Sequence, residues 1–268
     1  MPKMNPACFG FSLKRGGVHT ARTMMLEELR HLLSYVNGPK AQKADYLHAI
    51  VSENCLGKRS SKTRLLTYRH LVGLYALDPS VILFRAMVHF WHRDPSAQPL
   101  LALLCAYARD AVLRSTDSFI LQSQREKTIY RRDLEAFIDA QEPGRFSKST
   151  LTSTTQNINS TWTQAGHLSG RRQKSRTQAL ASAGSASYAL LLGYLLGVRG
   201  KALFSTAYAR LLDCSCERRL QLAEDASRRG WIVCKRVGDV IEVLFPSLIN
   251  AREMECLDEQ NQSSYPIV

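Results

Sequence analysis

The chain has 268 residues, 45% of them hydrophobic and 22% charged, a balance that excludes a disordered or collagen-like polypeptide and allows one or two packed units. Lys and Arg total 36 against 23 Asp and Glu, a formal charge of +13 that points to a polyanionic partner, nucleic acid or an acidic membrane surface. The longest apolar run, Tyr188 to Val198, is about half of what a bilayer requires, and the first 17 residues lack the apolar core of a secretory signal. Seven cysteines, scattered singly except for Cys214 and Cys216, read as reduced thiols of a cytosol. The expectation is a soluble, basic, cytoplasmic protein.

In chain order, Leu26, Leu29, Leu33 and Val36 recur at helical spacing until Asn37-Gly38-Pro39 stops the run. Ala44, Leu47 and Val51 predict a second helix. A third begins at Ser60 or Ser61, either of which can cap it, and its expected buried face is Leu65, Tyr68, Val72 and Tyr75. Its other side carries Lys62, Thr63, Arg69 and His70, so residues 1–77 read as a helix-turn-helix unit with a basic last helix.

Residues 78–142 read as helical scaffold. Asp78-Pro79 predicts the start of a buried helix over Val81 to Trp91, and Leu100 to Tyr107 predicts another. An amphipathic helix uses Ile129, Leu134, Phe137 and Ile138 and ends at Pro143-Gly144. The region 143–250 reads as winged-helix-like. Ser147 is a predicted N-cap, with Phe146 and Leu151 as a hydrophobic staple. Leu151, Ile158 and Trp162 share one face of the helix that follows, and the rest of that helix is Ser, Thr, Asn and Gln, mediocre helix formers whose exposure suggests a task. Ala165-Gly166 ends it, and Ser169-Gly170 with Arg171, Arg172, Lys174 and Arg176 predicts a basic wing.

A similar unit follows: a buried helix over Ser187 to Leu196, a short one over Thr206 to Leu212, and an amphipathic helix over Glu217 to Arg229 closed by Gly230. WIVCKRVGDVIEVLF then alternates about a Gly-Asp turn, a β-hairpin signal. Residues 251–268 form an acidic tail. The fold class expected is mainly α, with winged helix-turn-helix units and small β-hairpins.

The charge is unevenly placed. The 24 residues between Glu53 and Asp78 hold five Lys or Arg and no carboxylate, and the 70 between Glu142 and Asp213 hold nine and none. A solvated helix face usually mixes signs, whereas long stretches of one sign suit phosphates. The first cluster offers Lys58, Arg59, Lys62, Arg64 and Arg69. The second offers Lys148, Arg171, Arg172, Lys174 and Arg176 as phosphate contacts, with Ser149, Thr152, Ser153, Gln156 and Asn159 placed to reach phosphates or base edges.

No catalytic set emerges. Gly57-Lys58-Arg59-Ser60 and Gly200-Lys201 lack the spacing of a phosphate loop. His89, His92 and Asp94 could approach a metal, and Cys214-x-Cys216 could, but neither has a full ligand set. His167 lacks a nucleophile or carboxylate nearby in sequence, and Trp162 reads as a core anchor rather than a stacking platform. No cofactor or metal is expected.

Five strings, ELRHLLSYV, SENCLGKRSSKTRLLTYRHL, FSKSTLTSTTQNINSTWTQAGHLSG, YALLLGYLLGVRG and ASRRGWIVCKRVGDVIEVLF, occur in an order and spacing that resembles BrxA, the small DNA-binding component of BREX (bacteriophage exclusion) defence systems. The resemblance runs from about Leu26 to Phe245 and leaves the acidic tail unmatched. It implies an all-helical, non-enzymatic binder of double-stranded DNA with winged helix-turn-helix elements. It also implies larger partner proteins of the BREX system that carry methyltransferase and ATPase chemistry. The residues themselves leave two alternatives open, a helical RNA-binding factor of the antitermination type and an adaptor that docks an acidic protein.

Overall fold

A computed structural model describes residues 6–12, 14–38 and 41–262, with side chains through 257. The Pro39 turn lies outside the described residues, as do the side chains of Asp258 and Glu259. The helices are α1 Leu26–Tyr35, α2 Lys43–Leu47, α3 Ser61–Tyr75, α4 Ile82–Arg93, α5 Gln98–Arg109, α6 Ala111–Arg114 and α7 Asp117–Gln122, then α8 Arg131–Gln141, α9 Lys148–Gln164, α10 Ala183–Leu195, α11 Ala207–Arg210, α12 Cys216–Arg228 and α13 Ala251–Gln262. The strands are β1 Thr128–Ile129, β2 Leu168–Ser169, β3 Lys174–Arg176, β4 Val233–Val237 and β5 Val240–Leu244. The protein is mainly α with two small antiparallel sheets. Among the described residues no helix is long and apolar enough to cross a membrane.

α1 buries Leu26, Leu29 and Leu33 as their spacing predicts, together with Leu32. α2 departs from expectation because it passes into a π-helical turn over His48–Ser52. The wider turn shifts the register, so Tyr46, Ala49 and Ile50 face the core while Ala44 and Leu47 are exposed. In α3 the Ser60 hydroxyl accepts the Thr63 N–H at 3.2 Å, as a cap should. The buried face is Thr67, Leu71, Leu74 and Tyr75, and Leu65 is exposed rather than buried. Apolar residues surround this helix, so periodicity alone does not choose its inner face.

α10 is buried along its whole length and packs against α4, α5, α11 and α12, which makes it the axis of the molecule. Its first turn is held by Asp94, whose carboxylate accepts the Gly184 N–H at 2.8 Å. Asp78 does not cap α4. It closes a turn on Ser80 instead, accepting the Ser80 N–H at 3.0 Å, and Val81 occupies the cap position. One continuous cluster of buried apolar side chains, from Phe9 to Leu257, joins these helices.

The elements α7, β1, α8, α9, β2 and β3 form one module. Their sheet is antiparallel in the order β1-β3-β2, with Ile129 opposite Lys174 and Leu168 opposite Arg176. Helix, strand, two helices and a hairpin, with the first strand added to the edge of the hairpin, is the winged-helix arrangement. Ile129 therefore belongs to a strand, not to the amphipathic helix expected around it, and the module begins well before residue 143. A second module, α10, α11, α12 and the hairpin β4–β5, follows a similar order of helices and hairpin but has no edge strand, its sheet being two-stranded. Ser215 caps α12 by accepting the Arg218 N–H at 3.1 Å, and Val237 pairs with Val240 across the Gly238-Asp239 turn. The acidic segment begins as α13, docked through buried Leu257 and through Glu253, whose two oxygens accept from Arg85 at 2.6 and 2.7 Å.

Candidate nucleic-acid interface

The polar helix α9 divides its side chains between two tasks. The inner ones brace it. Thr161 Oγ1 accepts the Met24 N–H at 2.9 Å and bonds His19 Nε2 at 3.0 Å, while the Asn157 amide donates to the His19 carbonyl at 3.0 Å. His19 is itself fixed by Asp110, 2.8 Å from Nδ1, and the Trp162 indole donates to Thr116 Oγ1 at 3.1 Å. Trp162 is fully buried and is a core anchor. Much of the helix's unusual composition thus builds a buried hydrogen-bond network between the amino-terminal segment, the start of α6 and the helix.

The outer face is different. Lys148, Ser149, Ser153 and Gln156 are exposed and Thr152 is half-buried, so these five stand together on an open surface free of carboxylates. Asn159, predicted for this face, is instead 7% exposed and turned inward, because position 159 falls at the edge of the Ile158–Trp162 stripe. Ser160 and Thr163 continue the outer face and were missed, since nothing in a run of Ser and Thr marks where the inner set stops. Ser147 caps the helix by accepting the Thr150 N–H at 3.3 Å, and Phe146 and Leu151 pack half-buried beside it.

The wing β2–β3 follows. Gly170 has φ of +93°, and a Cβ there would collide with the Gln173 carbonyl oxygen, so the tight turn requires glycine. Arg171 and Arg172 are exposed at its tip. Lys174 is half-buried, its ammonium donating to the Gly170 carbonyl at 2.6 Å, and burial lowers its pKa. It pins the wing rather than reaching out from it.

Arg176 is the clearest correction. Predicted as a phosphate contact, it is 2% exposed and forms a two-pronged ion pair with Asp213, both at 2.8 Å. It also donates to the carbonyls of Ile120 (2.9 Å) and His167 (3.2 Å). Asp213 accepts the Ala179 N–H as well, at 3.0 Å. Burial alone would raise the Asp213 pKa, but the Arg176 and Ala179 donors outweigh it and hold the carboxyl below its ordinary value. The pair joins the first wing to the α11–α12 turn, so the two winged modules are bolted together. His167 sits at the same junction. Its Nε2–H donates to the Leu211 carbonyl at 3.0 Å, Nδ1 has no partner, and burial drops its pKa to about 4. It is a buried, neutral group whose contact is to the backbone.

At the first basic cluster, Arg59, Lys62 and Arg69 are exposed. Lys58 is half-buried and paired with Glu28 at 3.1 Å, and Arg64 lies along the preceding turn, donating to the Val51 carbonyl at 3.3 Å. These two hold the turn between α2 and α3. The outward cations of the two clusters are therefore Arg59, Lys62, Arg69, Lys148, Arg171 and Arg172. The second winged module exposes Arg218, Lys235 and Arg236, but Glu217, Asp239 and Glu242 are exposed beside them, so its sign is mixed. Among the described residues, no group of three or more His, Cys, Asp or Glu is placed to hold a metal. Asp94, beside His92, is committed to Gly184 and Ser96.

A scan against protein-family models returned no match, and a search of curated proteins returned none. The geometry of the winged module is what supports a function.

Proposed function

We propose that this chain is a non-enzymatic protein that binds double-stranded DNA, mainly through phosphate contacts and with weak sequence preference. The observation that carries the reading is the first winged module. Its second long helix presents Lys148, Ser149, Thr152, Ser153 and Gln156 outward with no acid among them, and its wing presents Arg171 and Arg172. Short hydroxyls on α9 can satisfy phosphate oxygens or single base edges, whereas side chains able to read a base with two bonds are few on its outer face, Gln156 and Lys148 alone among these five. The resemblance to BrxA extends the proposal to the setting, a bacterial phage-defence assembly of the BREX type in which other chains carry the enzymatic steps.

If all six outward cations neutralise phosphates of one duplex, affinity should fall on the order of 1,000-fold between 50 and 200 mM salt; if only the three of the first winged module do, roughly 40-fold. Fluorescence anisotropy of the full chain, titrated onto a duplex of about 30 base pairs and onto a matched hairpin RNA, measures both. Duplex binding tighter than hairpin binding, with either salt slope, is expected. Equal or tighter binding to the RNA, or a flat salt response, would overturn the proposal.

A further inference from the structure

Between α7 of the first winged module and α11 and α12 of the second lies an open cleft of about 650 Å³. Arg125 follows α7, Arg210 closes α11 and Arg219 is the fourth residue of α12, and all three residues line it. Each makes a hydrogen bond to a neutral acceptor: Arg125 to Gln178 Oε1 (2.6 Å), Arg210 to the Ser205 carbonyl (3.3 Å) and Arg219 to the Phe204 carbonyl (2.7 Å). Among the described residues none of the three forms an ion pair. A guanidinium has five N–H donors, so most of these remain free for a ligand. The Arg219 Nε is buried without a hydrogen-bond partner, and the Arg219 side chain lies beside the Cys214 thiol.

Two carboxylates share the wall, and both are engaged elsewhere. Asp213 gives both oxygens to Arg176, and Asp117 accepts the Tyr107 hydroxyl at 2.6 Å and the Ser118 N–H at 2.5 Å. With Asp213 neutralised by Arg176, three cations face one remaining negative charge. Three arginines drawn from separate elements into one concave site, with no ion pair to the carboxylates beside them, form the donor set that planar guanidinium groups offer to phosphate oxygens.

We propose that this cleft is a phosphate-binding site, taking either a small di- or triphosphate free in solution or a backbone phosphate of bound DNA. The volume lies within the range of small-molecule sites and accommodates a nucleotide-sized ligand. The free-ligand form stands independently of duplex binding, whereas the backbone form rests on it. Because the walls come from both winged modules, an occupant would bridge them.

The test uses the full chain at constant ionic strength, with inorganic pyrophosphate as the probe. Calorimetric titration of the wild type is compared with the double variant Arg125→Gln, Arg210→Gln, whose replaced side chains are exposed and lie outside the core. Alkylation of Cys214, which lines the cleft, is followed by fragment mapping with exposed Cys216 as the internal control. A free-phosphate site predicts pyrophosphate binding that weakens at least tenfold in the variant and slows modification of Cys214 but not of Cys216. A backbone site predicts no pyrophosphate binding but a duplex affinity lowered in the variant, with a salt slope reduced by about two. Pyrophosphate binding unchanged by the variant overturns the proposal. So does an absence of pyrophosphate binding together with duplex binding that the variant leaves unaltered, or with no duplex binding by the wild type.

Discussion

Replacing Asp213 tests whether Arg176 belongs to the core or to the interface. Asp213 has φ of +54°, a left-handed conformation that Asn tolerates well, so Asp213→Asn removes the charge without refolding the turn. It leaves a guanidinium with 2% side-chain exposure facing a neutral partner. Removing one member of a buried ion pair costs about 3–5 kcal/mol, and the carbonyls of Ile120, His167 and Thr177 that remain around Arg176 place the expected loss at the lower end, about 3 kcal/mol. With a urea m-value of about 3 kcal/mol/M, the unfolding midpoint should fall by about 1 M. The comparison is Arg171→Gln, a surface change expected to move stability by no more than about 0.5 kcal/mol. The sign with pH is also fixed. A carboxyl whose folded pKa is depressed contributes stability that is present above its unfolded value of about 3.9 and is lost as pH falls through the folded value. That part of the acid limb should be missing in Asp213→Asn. A midpoint shift under about 0.3 M would refute the assignment of Arg176 to the core.

Two further expectations concern the same module. Gly170→Ala should distort the first wing, because the new Cβ meets the Gln173 carbonyl oxygen at a left-handed position; duplex affinity should drop severalfold with little loss of helical circular dichroism. His167 is held neutral in the fold at a pKa of about 4, whereas the unfolded chain protonates it near 6.5. The unfolded state thus binds more protons on acidification, and His167 alone should remove about 2 kcal/mol of stability between pH 7 and pH 5, with half-buried His89 adding a loss of the same sign. His167→Gln keeps an N–H for the Leu211 carbonyl, so its unfolding free energy should depend less on pH by about that amount; an unchanged dependence would contradict the burial argument.

The elements that were legible in the sequence are those whose signals are local. Ser60 and Ser147 each sit ahead of a helix and each accepts the N–H three residues on. The second hairpin follows from alternation about Gly238-Asp239. What the sequence hid was the second partner of each polar group. Lys58 and Arg64 look like exposed cations until Glu28 and the Val51 carbonyl are brought to them, and Arg176 looks like part of a basic wing until Asp213 arrives from 37 residues away. The composition of α9 signals polarity but not direction, so Asn159 and Gln156 read alike although one faces the core and the other solvent. β1, two residues long, is invisible without the hairpin edge it joins.

The charge reversal Arg171→Glu with Arg172→Glu, followed as duplex affinity across a salt series, tests the winged-helix reading most directly. Both side chains are exposed at the wing tip and neither has a structural partner among the described residues, so folding should be unaffected. If they hold phosphates, affinity should fall at least tenfold at low salt and the slope of log affinity against log salt should flatten by about two. Unchanged affinity and an unchanged slope would place the DNA elsewhere on the protein and contradict the account.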